Sequence, residues 1–273
     1  MSLKGWLVVF GALLTQLAFG QTDEAIFAET MQLPKGRTVA ETALVIGQHF
    51  LGAPYVTGTL ESPDGVERLT VNLREFDCAT FVESVLALAW TRHSPHPDFE
   101  MFRQHLQSLR YRRGQVVDYA SRFHYFSDWL EEQAAAGRLV NLTEKMGGKP
   151  MNKLICFMTS HRNRYASLDN SLVYKEINAL EQEINHRPLF FIPKNRVPSL
   201  ENQLRDGDLI GITTAKFGLD VAHEGFVLRR HGRAYLLHAS SHSGRVVLTP
   251  TPLSEYLTRN ATRRGIMVAR WIP

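Results

Sequence analysis

The chain has 273 residues, 44% of them hydrophobic and 21% charged, the balance of an ordinary globular protein and not of a disordered one. Its formal net charge is only +4, too mild an excess to argue for a nucleic-acid partner. The densest basic cluster, LRYRRG at 109–114, reads as a solvated helix end.

Residues 1–20, MSLKGWLVVFGALLTQLAFG, read as a cleaved export signal. Lys4 supplies the positive start, 6–14 the apolar stretch, and Ala18-Phe19-Gly20 a cleavage site before Gln21. An uncleaved anchor fits less well, because Thr15 and Gln16 interrupt a run already short of the roughly 20 apolar residues a bilayer needs. No stable membrane insertion is expected after cleavage, and with no cysteine at the cleavage point no lipid anchor is indicated. Residues 21–273 are then expected to form a single domain with a substantial core. The segment 138–206 reads as a family-specific insertion, because it separates two regions of clearer pattern.

Thr38 and Glu41 open a capping box for a helix over 37–51, and 51–65 is Gly/Pro-rich loop. The stretch 67–73, ERLTVNL, alternates as a strand would. Asp77 looks like the N-cap of a helix from 78 to about 90, with Phe81, Val82, Val85, Leu86 and Ala89 on its core face. Helices are predicted near 98–110, 122–136 and 171–185, and LICFMT at 154–159 reads as a buried strand carrying Cys156. From Asp206 the pattern becomes short strands: GDLIGIT, AHEGFVLRR, AYLLHAS and GRVVLTP. A short helix at 252–259 and a closing strand at 265–272 follow. Helices first and an antiparallel meander afterwards define an α+β class.

Chemistry concentrates on NLREFDCATFVE at 72–83. From count alone, two cysteines in an exported chain suggest a disulfide. Yet a thiol in the first turn of a helix meets unpaired N–H groups and the positive end of the dipole, which favour thiolate and can bind an oxyanion. A nucleophile there needs a base. His223 and His238 lie on consecutive strand-like runs joined by His231-Gly232, so antiparallel pairing brings both imidazoles to one end. His238 and His242 have the spacing of a zinc pair, but only on a helix, and HASSHSG reads as a loop, so no metal is expected. MGGKP at 146–150 lacks the surrounding residues of a phosphate loop, and no GxGxxG occurs.

Together PYVTG (54–58), DC (77–78), HEGF (223–226) and HAS (238–240) resemble the NlpC-type cell-wall amidases, a papain-like superfamily. Five blocks, VNLREFDCATFVE, SRFHYFSDW, GDLIGITT, GLDVAHEGF and LLHASS, resemble its N-acetylmuramoyl-L-alanine amidase-like family over most of the mature chain. The resemblance implies a papain-like NlpC-type fold, with the Cys-bearing helix packed on an antiparallel sheet and additional family-specific helices. It implies hydrolysis of the bond between N-acetylmuramic acid, in its anhydro form, and L-alanine in peptidoglycan fragments, through a Cys thioester, in the periplasm. Cys78 becomes the nucleophile, His223 the base, and His238 the group that orients it. Tyr55 becomes an oxyanion donor beside the thiol, and His124, Tyr125 and Trp129 contributors to the substrate cleft. No cofactor is implied, the sequence leaves the oligomeric state open, and Cys156 falls outside every block, most simply as a buried apolar thiol. Two alternatives stay open: an endopeptidase cutting after γ-D-glutamate with the same three residues, and a non-catalytic wall-binding module.

Overall fold

The computed structural model describes residues 21–62 and 64–272; the export signal read at 1–20 lies outside the described residues. Five helices occupy the first half: α1 (Asp23–Thr30), α2 (Val39–His49), α3 (Cys78–His93), α4 (Phe99–Arg110) and α5 (Phe126–Ala135). The start of α3 is fixed by reciprocal capping. Asp77 accepts the N–H of Thr80 at 2.8 Å, and the Thr80 hydroxyl accepts the N–H of Asp77 at 2.9 Å. Phe81, Val85, Leu86 and Leu88 of α3 are no more than 1% exposed. Each such side chain, fully buried, stabilises the fold by about 1.5–3 kcal/mol. At α2 the predicted box is half formed: Thr38 accepts from the N–H of Glu41, while the Glu41 carboxylate reaches back to the N–H of Arg37.

Short strands β1 (Leu139–Asn141), β2 (Lys149–Pro150) and β3 (Phe190–Pro193) precede the meander of β4 (Leu209–Thr214), β5 (Val221–Arg230), β6 (Arg233–Ser240) and β7 (Arg245–Leu248). The last strand, β8 (Arg263–Trp271), returns to the centre. The antiparallel order is β2-β3-β8-β4-β5-β6-β7, with β1 beside β3 on the same edge of β8. β5 and β6 form a hairpin that closes at Arg230↔Arg233. Both turn residues have positive φ, His231 at 49° and Gly232 at 77°, the backbone whose twist matches a tight hairpin. One sheet face packs on α1 to α5 through Phe226, Leu237 and Met267. The other packs Ile210, Ile212, Val227 and Val268 against Leu253 and Leu257 of α8 (Leu253–Thr258). A third cluster gathers Tyr125, Ile155 and Met158 around Ile177 and Ile184 of α7 (Ser171–His186). The α+β class is as the sequence indicated.

Three local expectations differ. Residues 67–73 form no strand and join no sheet, because side chains take part of their backbone hydrogen bonding. The carbonyls of Arg68 and Thr70 accept from the Tyr111 hydroxyl (2.9 Å) and the Arg110 guanidinium (2.5 Å), and the N–H of Leu73 donates to Asp23 (2.7 Å). The helix expected over 122–136 begins only at Phe126. Arg122 is bridged to Tyr111, and the buried Asp220 carboxylate accepts the N–H of Ser127 at 2.7 Å. The strand expected at 154–159 is a turn into a short helix, α6 (Phe157–Ser160). Glu181 sets that turn by accepting the N–H groups of Met158 and Thr159 at 3.1 Å each. Cys156 is consequently half-buried, with the Ser160 hydroxyl 3.3 Å from its sulfur, and is not the apolar core thiol expected.

Candidate active site

Cys78 is the first residue of α3, and its helix packs against β5 and β6. Both cysteines are free, so the disulfide that count alone suggested is not formed. The helix start was expected to lower the thiol pKa. Instead burial raises it well above the ordinary value, helped by the charges of Glu224 and Asp77, while the backbone N–H groups of Glu224 and Ala79 work in the opposite direction. A half-dipole and two N–H groups do not offset desolvation beside two carboxylates. The main chain at Glu224 therefore faces the sulfur, and the residue before it is His223.

His223 and His238 are brought together. Their Nε2 and Nδ1 atoms lie 2.5 Å apart, with the rings edge to face at 83°. The strand register explains the meeting. His238 follows Leu237, the partner of Phe226, so it lies across the ladder from Gly225. A Cβ at Gly225 would come within 2.7 Å of the Leu237 carbonyl and 2.8 Å of the His238 Cβ. The glycine in HEGF is thus what lets the second imidazole stand beside the first. Burial, followed by the Arg263 charge, lowers His223 to about 4. Burial and the two neighbours His223 and Arg263 lower His238 to about 2. Both rings are neutral near pH 7, and one N–H joins them.

Behind the pair, the Tyr256 ring lies edge-on to His238 at 5.6 Å, and the Arg263 guanidinium stacks over Tyr256 at 3.7 Å. Tyr55 is held on the thiol side. Its N–H donates to the Gly244 carbonyl, and the next N–H, of Val56, donates to Phe76, one residue before Asp77. Burial, with Cys78 and Asp77 close by, pushes its phenol up to about 12, so it remains a hydrogen-bond donor.

His124, Tyr125 and Trp129 line a cavity of about 70 Å³ with Glu83, Glu224 and Ala79, the residue that follows the thiol. Their polar atoms are largely committed to the fold. His124 Nε2 lies 2.8 Å from the Tyr119 carbonyl, the Tyr125 hydroxyl donates to Glu181 (2.6 Å), and the Trp129 indole donates to the Leu109 carbonyl (2.9 Å). Sequence reasoning missed Glu224, Tyr256 and Arg263. Glu224 had a signal, a carboxylate between the candidate base His223 and the glycine of HEGF. Burial raises it well above its ordinary value, and Glu83, Asp77 and Asp220 act in the same direction. Tyr256 reaches His238 from the helix before β8, and Arg263 stacks on Tyr256 from the first residue of β8, placements that no local pattern announces.

A thiol at a helix start and a hydrogen-bonded imidazole pair at the end of an antiparallel sheet are the groups that acyl transfer uses. The family profile described as N-acetylmuramoyl-L-alanine amidase-like matches residues 45–266, and the chain belongs to that family. It is thereby a hydrolase of amide bonds whose substrate class is peptidoglycan. Among solved structures, an N-acetylmuramoyl-L-alanine amidase from Bacteroides uniformis is 36% identical, spanning 86% of this chain and 99% of its own, with a TM-score of 0.80. A Bacteroides fragilis protein put forward as a xylanase is 34% identical over 82% of this chain and 98% of its own, with a TM-score of 0.76. A Legionella pneumophila protein, 22% identical, shares the fold over 92% of this chain and 93% of its own, with a TM-score of 0.69. No curated protein matches. Among the described residues, no helix is long and apolar enough to cross a membrane.

Proposed function

We propose that the protein is a cysteine-dependent N-acetylmuramoyl-L-alanine amidase with a papain-like, NlpC-type catalytic arrangement, acting on soluble anhydro-muropeptides outside the cytoplasm. The observation that carries this reading is the His223–His238 bond, on the strand whose next residue faces Cys78. Because Nε2 of His223 is engaged by His238 Nδ1, its Nδ1 is the nitrogen left for a substrate proton. That role requires the shared proton on Nε2 of His223, which in turn places the proton of His238 on its own Nε2. The second imidazole so selects the tautomer of the first, as a carboxylate or amide does in other triads.

The resting pair is a neutral thiol and a neutral imidazole. His223 Nδ1 takes the thiol proton as sulfur adds to the lactyl carbonyl. The oxyanion forms against the first free N–H groups of α3 and the Tyr55 hydroxyl. His223 then returns the proton to the alanine nitrogen, the amine leaves, and a thioester remains. Water gives a proton to His223 as its oxygen attacks the thioester, and the thiol is restored with release of the lactyl acid.

Digestion of defined muropeptides by the purified protein tests the bond assigned. Mass spectra with free disaccharide and an intact stem peptide are expected. A dipeptide left on the sugar would move the cut to the γ-D-glutamyl bond, and binding without release would leave a wall-binding module. The xylanase description of one similar structure raises a glycosidase reading, which needs two free carboxyls. Among the described residues, Glu83 and Glu224 are the only carboxyls lining the cavity, and Glu83 is held by Arg110 at 2.7 Å.

A further inference from the structure

A second and larger pocket, of about 380 Å³, opens at the same end of the sheet as the imidazole pair. That end collects the last residues of β4, the first of β5 and β8, and the stretch of β6 that carries His238. Its lining includes Lys153, Thr213, Phe217 and Arg264, with Met151 and Phe191 on the apolar side, and no carboxylate among the described residues. Thr213 follows Ile212, the β4 partner of His223.

Three of these residues share one property: each offers a donor without an anionic acceptor. Lys153 is anchored by its ammonium, which donates to the carbonyls of Thr214 (2.7 Å) and Leu219 (2.5 Å). Two of its three N–H groups are used, and the third remains. Thr213 is 1% exposed, and its hydroxyl has no partner, a state that costs about 1–3 kcal/mol unless a ligand relieves it. Arg264 forms no ion pair among the described residues. A fixed cation, an exposed guanidinium and an unsatisfied hydroxyl around an apolar hollow suit a carboxylate on a short aliphatic stem.

We propose that this pocket is a carboxylate subsite that takes a free carboxylate on the peptide side of the substrate. The inference rests on the peptidoglycan amidase reading. In a muramoyl–alanine amide the lactyl acid is already consumed in the bond, so the remaining carboxylates belong to the peptide. A carboxylate held here directs the stem along β4 and β8 and leaves the sugar the other side of Cys78. It also selects released fragments with free carboxylates over cross-linked or amidated wall.

The measurement is calorimetric binding of the alanine-initiated stem tripeptide to the wild-type protein, beside the same peptide with every carboxylate converted to carboxamide. The carboxamide should bind about tenfold more weakly or worse, the range a lost charge-assisted bond gives. Arg264→Met should weaken the free-carboxylate peptide by a similar factor and leave the carboxamide unchanged. Thr213→Val should weaken the peptide a few-fold while raising the melting temperature, because an unsatisfied buried hydroxyl is removed. Equal binding of both peptides by the wild type, binding of neither, or affinities unchanged in both variants overturns the subsite. Repeated on a Cys78→Ala background, where neither candidate amide can be cut, the titration reads binding alone, so this result and the muropeptide digest fail independently.

Discussion

The helix that carries Cys78 and the segment 138–206 are held in the molecule by opposite means. Along α3 the instructions are local. Asp77 and Thr80 cap one another three residues apart, and an apolar face buries Phe81, Val85 and Leu88. In 138–206 the backbone is held by polar side chains from far along the chain. The Glu181 carboxylate, 2% exposed, takes the Tyr125 hydroxyl and the N–H groups of Met158 and Thr159. Asn185 closes a two-bond clasp on Ile155, 2.8 Å in each direction. Lys153 ties down two carbonyls next to β4 and β5. The first kind of region tolerates reading from sequence, because the partners are neighbours. The second does not, because a buried carboxylate announces nothing about which N–H groups it meets.

The largest effect belongs to the locally built region. Cys78→Ala should lower muropeptide amide hydrolysis by at least about 10³-fold while leaving thermal unfolding within about 1 °C. Product release at the wild-type rate would remove the thiol from the mechanism. Next in size, His238→Phe removes the tautomer selector but keeps a ring in its place. It should cost about 10²- to 10⁴-fold in kcat with little change in KM. A smaller loss is expected for His238→Gln, whose side-chain carbonyl can still accept the Nε2 proton of His223. Near-wild-type kcat in His238→Phe would reduce the 2.5 Å contact to packing.

The distant region answers in stability and not in chemistry. Glu181→Ala removes the acceptor of four donors in the third hydrophobic cluster and should destabilise the protein by about 3 kcal/mol or more in urea titration. Because β1 and β3 both pair with β8, the loss should appear in a single transition shared with the sheet. A separate early transition, with the sheet unaffected, would mean that the segment folds on its own and would break the contrast drawn above.

The errors of sequence reading follow this division. Cys78, His223 and His238 were legible because each belongs to a short element whose ends are marked: a cap, a two-residue turn, a glycine at 225 without which the strands could not close. Residues 67–73 alternate correctly for a strand. Yet Arg110 and Tyr111, some forty positions away, supply the hydrogen bonds that a neighbouring strand would have given. The start of α5 was misplaced for the same reason, its N–H at Ser127 being capped by Asp220 and not by any preceding residue. Even within the site, the thiol's ionisation was misjudged. The helix terminus is visible in the sequence, but the carboxylate of Glu224 beside the sulfur is visible only in the fold.

That last discrepancy can be resolved experimentally, at the smallest scale of effect. Asp77 has two roles that a single alanine would confuse: it caps α3, and its charge helps hold the Cys78 proton. Asparagine caps as well as aspartate, so Asp77→Asn should change stability by less than about 0.5 kcal/mol, whereas Asp77→Ala should cost about 1 kcal/mol. Removing the charge takes away one of the influences that favour the protonated thiol, so the midpoint of iodoacetamide alkylation should move to lower pH in Asp77→Asn. Glu224→Gln should move it further in the same direction, because Glu224 outranks Asp77 among the charges raising the thiol. A midpoint that stays fixed in both variants would leave burial alone responsible, and the acid side chains around Cys78 would then be shaping the cleft for substrate and not tuning the nucleophile.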